Sequence, residues 1–288
     1  MTDPSHPVTG RRALLRGATA SVAALGLGAL GTGTARARTP GPNARRGAAR
    51  SGAAAELLWA ADFSAADSNA AGFGNVQRQY EDGDIENSRD PVPVVDAPYG
   101  MGRAGELHLV EGQMRLEAAP QEGSDLADGT RQFFRFDFAL GPDYPLDQDN
   151  SFCLLNQIHH AGNDGSPPLE FDVYSNQLAI RGGWNSPSGR TYEEHICEVV
   201  KEQRYSVVYG LTLGSGESDS VIDVWVDGEQ LLADYHPACG LTYGQGPAYW
   251  KGMTMYCDPS LSPLTVYENN IATGTTYASV AELQGLGA

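Results

Sequence analysis

Residues 151–160 read SFCLLNQIHH, an apolar run that ends in a glutamine and two histidines. Side chains of a β-strand alternate between its faces, so Phe152, Leu154 and Ile158 fall on one side and Cys153, Leu155, Gln157 and His159 on the other. The first set suits the space between two sheets. Gln157 and His159 then share an outer surface, while His160, on the inner parity but past the last core residue, is expected in a loop. A glutamine and a histidine two residues apart fit a solvated strand face as well as a catalytic cleft, so the surrounding segments must decide.

Those segments are of the same type. GELHLVEGQMRLEA (105–118), RQFFRFDFAL (131–140), LEFDVYSNQLAIRGG (169–183), RYSVVYGLTL (204–213), VIDVWVDGEQLL (221–232), YWKGMTMYC (249–257) and LTVYENNIA (264–272) are rich in Val, Phe, Tyr and Ile. Gly, Pro, Asn and Asp clusters separate them, and Asp227–Gly228 is the clearest hairpin turn. No long stretch keeps a helical period. The pattern predicts an all-β fold, an antiparallel β-jelly roll of the concanavalin A-like sandwich kind.

The chain begins differently. Thr9-Gly10-Arg11-Arg12-Ala13-Leu14-Leu15 is a twin-arginine pattern, followed by an uncharged stretch from Gly17 to Leu30 and a small-x-small site at Ala35-Arg36-Ala37. Residues 1–37 read as an export signal too short and glycine-rich for a membrane span, which implies a secreted, extracellular protein with no membrane contact after cleavage. Residues 38–55 have no hydrophobic period and are expected to be a disordered linker. The β domain then occupies 56–288, with no internal repeat.

From Glu56 onward eleven basic side chains face thirty-five acidic ones, a net charge of −24. Such a body excludes nucleic acid as a partner, suits solubility outside the cell, and requires a locally positive site for any anionic substrate. Cys153, Cys197, Cys239 and Cys257 lie in the exported part, where disulfides persist; the preferred bridge joins Cys239 to Cys257, which bracket a hairpin candidate. Their spacing matches no zinc motif. Asp82, Asp84 and Glu86, and separately Asp147, Asp149 and Asn150, offer oxygen ligands for calcium, although neither set has EF-hand spacing and solvated turns explain both.

Three short motifs carry a resemblance. Gln157-Ile158-His159, Arg115-Leu116-Glu117 and Tyr249-Trp250-Lys251 resemble, in order, the Q-[IV]-H, R-x-E-L-R and Y-F-K-x-G-x-Y strands of the jelly-roll polysaccharide lyases, a group that includes alginate, glucuronan and type I heparin lyases. VIDVWVDGEQLL and VYENNIATGTTYASV resemble a sheet hairpin and the closing strand of the glucuronan and heparin lyase-like branch, so the likeness spans roughly residues 90 to 281. Two departures stand out. Ala119 occupies the place of the second arginine, with Arg103 in GRAGEL as a competing candidate. After Lys251, Met253 and Met255 replace the expected glycine and tyrosine and Tyr256 comes one residue late, which a bulge would restore to the site unless Tyr249 replaces it.

The resemblance implies β-elimination on a uronate-containing, acidic polysaccharide, with no cofactor needed for the chemistry, calcium as a compatible structural ion, and action as a monomer. Arg115 and Gln157 would neutralise the sugar carboxylate, His159 would take the C5 proton, and Tyr256 or Tyr249 would serve the glycosidic oxygen. Lys251, Tyr249, Glu117 and His160 would bind substrate. A tyrosine, which titrates near ~10 when free, acts as a base only beside a cation such as Lys251 or Arg115. The acidity of the domain favours a plain polyuronate over a sulfated chain.

Other readings stand beside this one. Arg115 and Glu117 also suit a surface ion pair, Lys251 a protected edge strand, and the aromatics a core. Glu170 and Asp172 in LEFDVY resemble the acid strand of jelly-roll glycosidases, though Tyr174 stands where a third acid belongs. A non-catalytic sugar-binding module presenting Trp184 is the third.

Overall fold

The computed structural model describes residues 55–122, 125–146, 152–160, 166–184, 186–242 and 248–283. The twin-arginine segment, the Arg-rich linker up to Ala54 and the Asp147, Asp149 and Asn150 cluster lie outside the described residues.

Period-two alternation builds two antiparallel sheets. The first runs β15 (Glu229–Tyr235), β14 (Val221–Val226), β13 (Arg204–Thr212), β8 (Arg131–Leu140), β18 (Leu264–Gly274), β5 (Gly102–Leu109) and β4 (Val94–Ala97), with β1 (Leu57–Ala60) also paired to β18. The second runs β12 (Tyr192–Glu198), β11 (Gln177–Gly182), β10 (Leu169–Tyr174), β9 (Cys153–His160), β17 (Met253–Cys257), β6 (Gln113–Pro120), β2 (Phe73–Tyr80) and β3 (Glu86–Ser88). Beside β9, ahead of β17, lies β16 (Ala248–Lys251), which also meets β7 (Asp125–Leu126). Helix among the described residues is confined to α1 (Tyr277–Ala281) and a 3-10 turn at Pro259–Leu261. The β14–β15 hairpin turns at Asp227–Gly228, whose φ values of 51° and 85° are those a two-residue turn demands.

Every second residue of the central strands enters the space between the sheets. From β8 come Phe134, Phe136, Phe138 and Leu140, from β13 Val207, Tyr209 and Leu211, and from the second sheet Phe171, Val173, Ile158 and Trp250. Tyr209 stacks on Phe134 at 5.0 Å and lies 4.7 Å from Phe171, so aromatic contacts join the layers. Each such side chain stabilises the fold by about 1.5–3 kcal/mol through burial.

Strict alternation fails inside β9. Its register with β10 slips between Phe171↔Asn156 and Asp172↔Leu154, leaving one extra residue on β9. Cys153 and Leu155 therefore belong to the core cluster, and Leu154 lies outside it. Parity assigned these three the other way because a bulge leaves no mark in the pattern of residue types.

The bridge is also different from the expected one. Cys153 is bonded to Cys257, its cross-strand partner where β9 meets β17. Cys239, free and buried, packs against the turn at Gly183, where an added Cβ would lie 2.7 Å from its sulfur; Cys197 is free and half-buried. Cys257 meets Cys153 across the β9–β17 ladder, which leaves Cys239 a thiol. Asp82, Asp84 and Glu86 sit exposed at the turn into β3, and among the described residues no three His, Cys, Asp or Glu side chains group to hold a metal ion.

Candidate active site

Four neighbouring strand segments set the expected residues on the outer face of the second sheet. Cross-strand pairing places Tyr249 opposite His159 and Lys251 opposite Gln157. It likewise places Tyr256 opposite Arg115 and Thr254 opposite Glu117. Such partners share a face and touch through their side chains. Arg115, Glu117, Gln157, His159, Tyr249, Lys251 and Tyr256 thus form one constellation from three separate parts of the chain.

Glu117 is its centre. Fully buried, it pairs with Arg115 Nη1 at 2.8 Å and lies 3.6 Å from Lys251 Nζ, while Gln157 donates its amide N–H to the other carboxylate oxygen. Arg115 and Glu117 are therefore a desolvated pair rather than a surface one. Two cations on one carboxylate leave an excess positive charge in a poorly hydrated place, where it acts strongly on an approaching anion. Among the described residues the buried Gln157 Oε1 has no hydrogen-bond partner. Lys251 is 4 % exposed and lies in a strand flanked by neighbours, which rules out an edge role. Burial lowers its pKa, against the pull of Glu117.

His159 shows its tautomer. Nδ1 lies 2.8 Å from the carbonyl oxygen of His160, which can only accept, so Nδ1 carries the proton and Nε2 of the neutral ring is an acceptor. Burial lowers the His159 pKa, a backbone bond and Glu117 opposing, so the ring remains neutral further into acid than an exposed histidine. His160 is not a loop residue. It ends β9 and is 1 % exposed, so its backbone carbonyl, rather than its ring, faces the chemistry.

Both tyrosines face this surface, at opposite ends. Tyr249 lies 5.6 Å from the His159 ring with Lys251 Nζ 5.3 Å from its centroid; burial and Glu117 raise its pKa, against Arg115. Tyr256 lies beneath the Arg115 guanidinium, 3.9 Å from ring centroid to Cζ, and packs edge-on against Phe152. Arg115 is held charged: burial works against it, but Glu117 and Tyr256 outweigh burial and raise its pKa. The late Tyr256 reaches the outer face because the strand breaks at Gly252 and turns Met253 and Met255 into the core. Arg103 is on β5 of the other sheet, where it donates to the carbonyls of Phe63 and Ala65, and so does not compete with Arg115.

Two contributors were missed by sequence reading. Gln79 accepts from Arg115 Nε at 3.2 Å, and Gln77 accepts from Lys251 Nζ. Both lie on β2, FGNVQRQY, whose signal was the same polar spacing of two that marks Arg115 with Glu117 and Gln157 with His159.

Further along the same face, Arg181 of β11 is shared by Glu170, at 3.2 Å, and Asp172 of β10. Burial raises Glu170 to about 7 and Asp172 to about 6, Arg181 opposing in both. Tyr174 donates to Glu193, and His195 Nε2 is 3.4 Å from the same carboxylate. With both Glu170 and Asp172 tied to one guanidinium, neither is placed as a free nucleophile.

The fold is a two-sheet β-sandwich, and this constellation gathers titratable and charged side chains on the outer face of one sheet. The chain belongs to the polysaccharide lyase family, whose pattern it matches over residues 60–272. This membership sets aside the glycosidase and the silent binding module. Among solved structures, the endo-β-1,4-glucuronan lyase of the fungus Trichoderma reesei superposes with a TM-score of 0.52 at 18% identity, covering 72% of this chain and 98% of that one. The alginate lyase AlyC3 gives 0.46 at 10% identity over 70% and 90%. A marine alginate lyase from Aplysia kurodai gives 0.43 at 10% identity over 64% and 87%. No curated protein matches the sequence.

Proposed function

We propose that the enzyme cleaves a plain polyuronate, of the glucuronan or alginate type, by β-elimination outside the cell. The observation that carries this reading is the neutral His159, with Nε2 as acceptor, beside two cations gathered on one buried carboxylate. Similarity to a glucuronan lyase fold supports the substrate class. Arg115, with Gln157 beside it, stabilises the charge that grows on the uronate carboxylate as C5 loses its proton. His159 Nε2 accepts that proton, the C5–H electrons form the C4=C5 double bond, and the C4–O4 bond breaks. Tyr256 gives its phenolic proton to O4, and Arg115 stabilises the phenolate left behind until water restores it. Lys251, Glu117, Gln77 and Gln79 hold these groups in place, and Tyr249 lines the approach to His159. A sulfated chain is disfavoured by the domain charge of −24. Residues 1–37 act as the export signal, the domain from 56 onward carries the activity, and the Cys153–Cys257 bridge suits an oxidising compartment.

The test is to follow ultraviolet absorbance of the unsaturated uronate together with reducing ends on glucuronan, alginate, heparin and neutral glucans. Both signals should rise together on an unsulfated polyuronate. Faster turnover of heparin would overturn the substrate class, and reducing ends without absorbance would overturn elimination.

A further inference from the structure

The strand that carries Lys251 and Tyr256 is interrupted. Residues five apart in a straight strand face opposite ways, yet both side chains reach the outer face while Trp250, Met253, Met255 and Cys257 enter the core. The pairing with β9 changes accordingly, from Lys251↔Gln157 to Tyr256↔Leu154. Such a break removes backbone groups from the sheet ladder, and buried ones must find other partners.

Three backbone groups at the break meet side chains. The Gly252 carbonyl accepts from Asn156 Nδ2 at 3.0 Å, and the Lys251 carbonyl accepts from Thr254 Oγ1 at 3.1 Å. The Thr254 N–H donates to Glu268 Oε2 at 3.3 Å. Asn156 is itself fixed, its Oδ1 accepting from Tyr209 OH at 2.7 Å and from Trp250 Nε1 at 3.0 Å. Glu268 belongs to β18 in the opposite sheet and reaches across the sandwich. Opposite it on β5, Gly105 leaves room for Met253, whose Cε would be 2.8 Å from a Cβ there.

A carboxyl is a costly choice for this position, fully buried and with Oε1 unpartnered among the described residues, since an apolar residue would serve packing alone. Burial raises its pKa well above the usual carboxylate value, the bond from the Thr254 amide opposing. What it supplies is an acceptor for an amide that has lost its strand partner. We propose that Glu268, with Asn156, is a positioning residue that holds the strand break at Gly252 and so keeps Lys251 and Tyr256 on the face that carries Gln157 and His159. Its kinetic consequence rests on the elimination reading above; its structural consequence does not.

The experiment uses the full chain with Glu268→Gln and Glu268→Leu, read by kcat/KM on a polyuronate and by hydrogen exchange of the amides from 252 to 256. Glutamine keeps a neutral acceptor and should leave both readouts near the parent values. Leucine removes it, and a misplaced Tyr256 and Lys251 should lower kcat/KM by about 10- to 100-fold. The Thr254 amide should then exchange about tenfold faster or more. The acid limb of the pH profile, set by His159 on another strand, should not move. Should the leucine variant not fold, Glu268→Ala is read in the same way. A leucine or alanine variant with parent rate and parent protection overturns the proposal, as does a glutamine variant as damaged as leucine. If the parent turns over no polyuronate, the failure belongs to the substrate assignment, and exchange at Thr254 alone decides the role of Glu268.

Discussion

The outer face of the second sheet has two halves built from the same residue types in opposite proportions. In the half formed by β6, β16, β17 and β9, one carboxylate, Glu117, is shared by two cations, Arg115 and Lys251. In the half formed by β10, β11 and β12, one cation, Arg181, is shared by two carboxylates, Glu170 and Asp172. Each half also holds a tyrosine and a histidine. His159 is partly buried and held by a carbonyl, however, whereas His195 is exposed beside Glu193. The inventory of side chains therefore does not separate the halves; the ratio of cation to carboxylate and the solvation of the histidine do.

The comparison is broken most sharply by removing the bases in turn. His159→Ala should lower kcat by about 10²- to 10⁴-fold, the usual worth of a positioned general base, with far-ultraviolet circular dichroism unchanged. Gln157→Ala should follow with a smaller loss of the same order. His195→Ala, and likewise Glu170→Gln, should remain near the parent rate. Equal losses in both halves would mean that catalysis spans the whole face. Between the tyrosines, Tyr256→Phe should cost more than Tyr249→Phe, because Tyr256 alone lies under the Arg115 guanidinium. The reverse order, measured as kcat, would move the proton donor next to His159.

The pH profile sharpens the same contrast. The His159 pKa is lowered, by burial first, so kcat/KM should fall only as pH drops below the ordinary imidazole value of 6.5. An acid limb above that value would point away from His159 as base. Stability separates the halves in another way, since the Cys153–Cys257 bridge ties β9 to β17 beneath the first half alone. With its ends 104 positions apart in sequence, its loss in Cys153→Ser should cost about 2–4 kcal/mol by chain entropy, read as a lower urea midpoint.

How much of this was legible in the sequence follows from what alternation can encode. β6, β8, β9, β13 and the β14–β15 hairpin were readable because apolar and polar residues alternate and Asp227–Gly228 fixes the turn. Parity put Gln157 with His159 and Arg115 with Glu117 on shared faces, and the resemblance to the lyase strands marked them as site residues. β2 was missed because FGNVQRQY mixes polar residues on both faces, and with it went Gln77 and Gln79. The inner or outer direction of Leu154 and Leu155, and the disulfide partner of Cys257, depend on register. Register is set by bulges and cross-strand contacts far away in the chain, which no local pattern records. The break at Gly252 is of this kind: a late Tyr256 hinted at it, and the groups that satisfy it, Asn156 and Glu268, are scattered over the chain.

The smallest expected effect separates the halves by sign. Glu170, raised from 4.5 to about 7, and Asp172, raised from 3.8 to about 6, bind protons more tightly when folded, through burial with Arg181 opposing. Their contribution to stability is complete below the unfolded values and is lost as pH rises through the folded ones. His159 is shifted downward, so its contribution grows as pH rises through the window below 6.5. The parent urea midpoint should therefore decline modestly from about pH 5 to about pH 8, and Glu170→Gln should flatten the decline. A decline just as steep in Glu170→Gln would mean that Arg181 keeps Glu170 ionised across that range. The decline would then belong to Asp172, and a polyuronate would meet one fixed carboxylate at Glu170 and a second that ionises as pH rises, which would confine its uronates to the half built on Glu117.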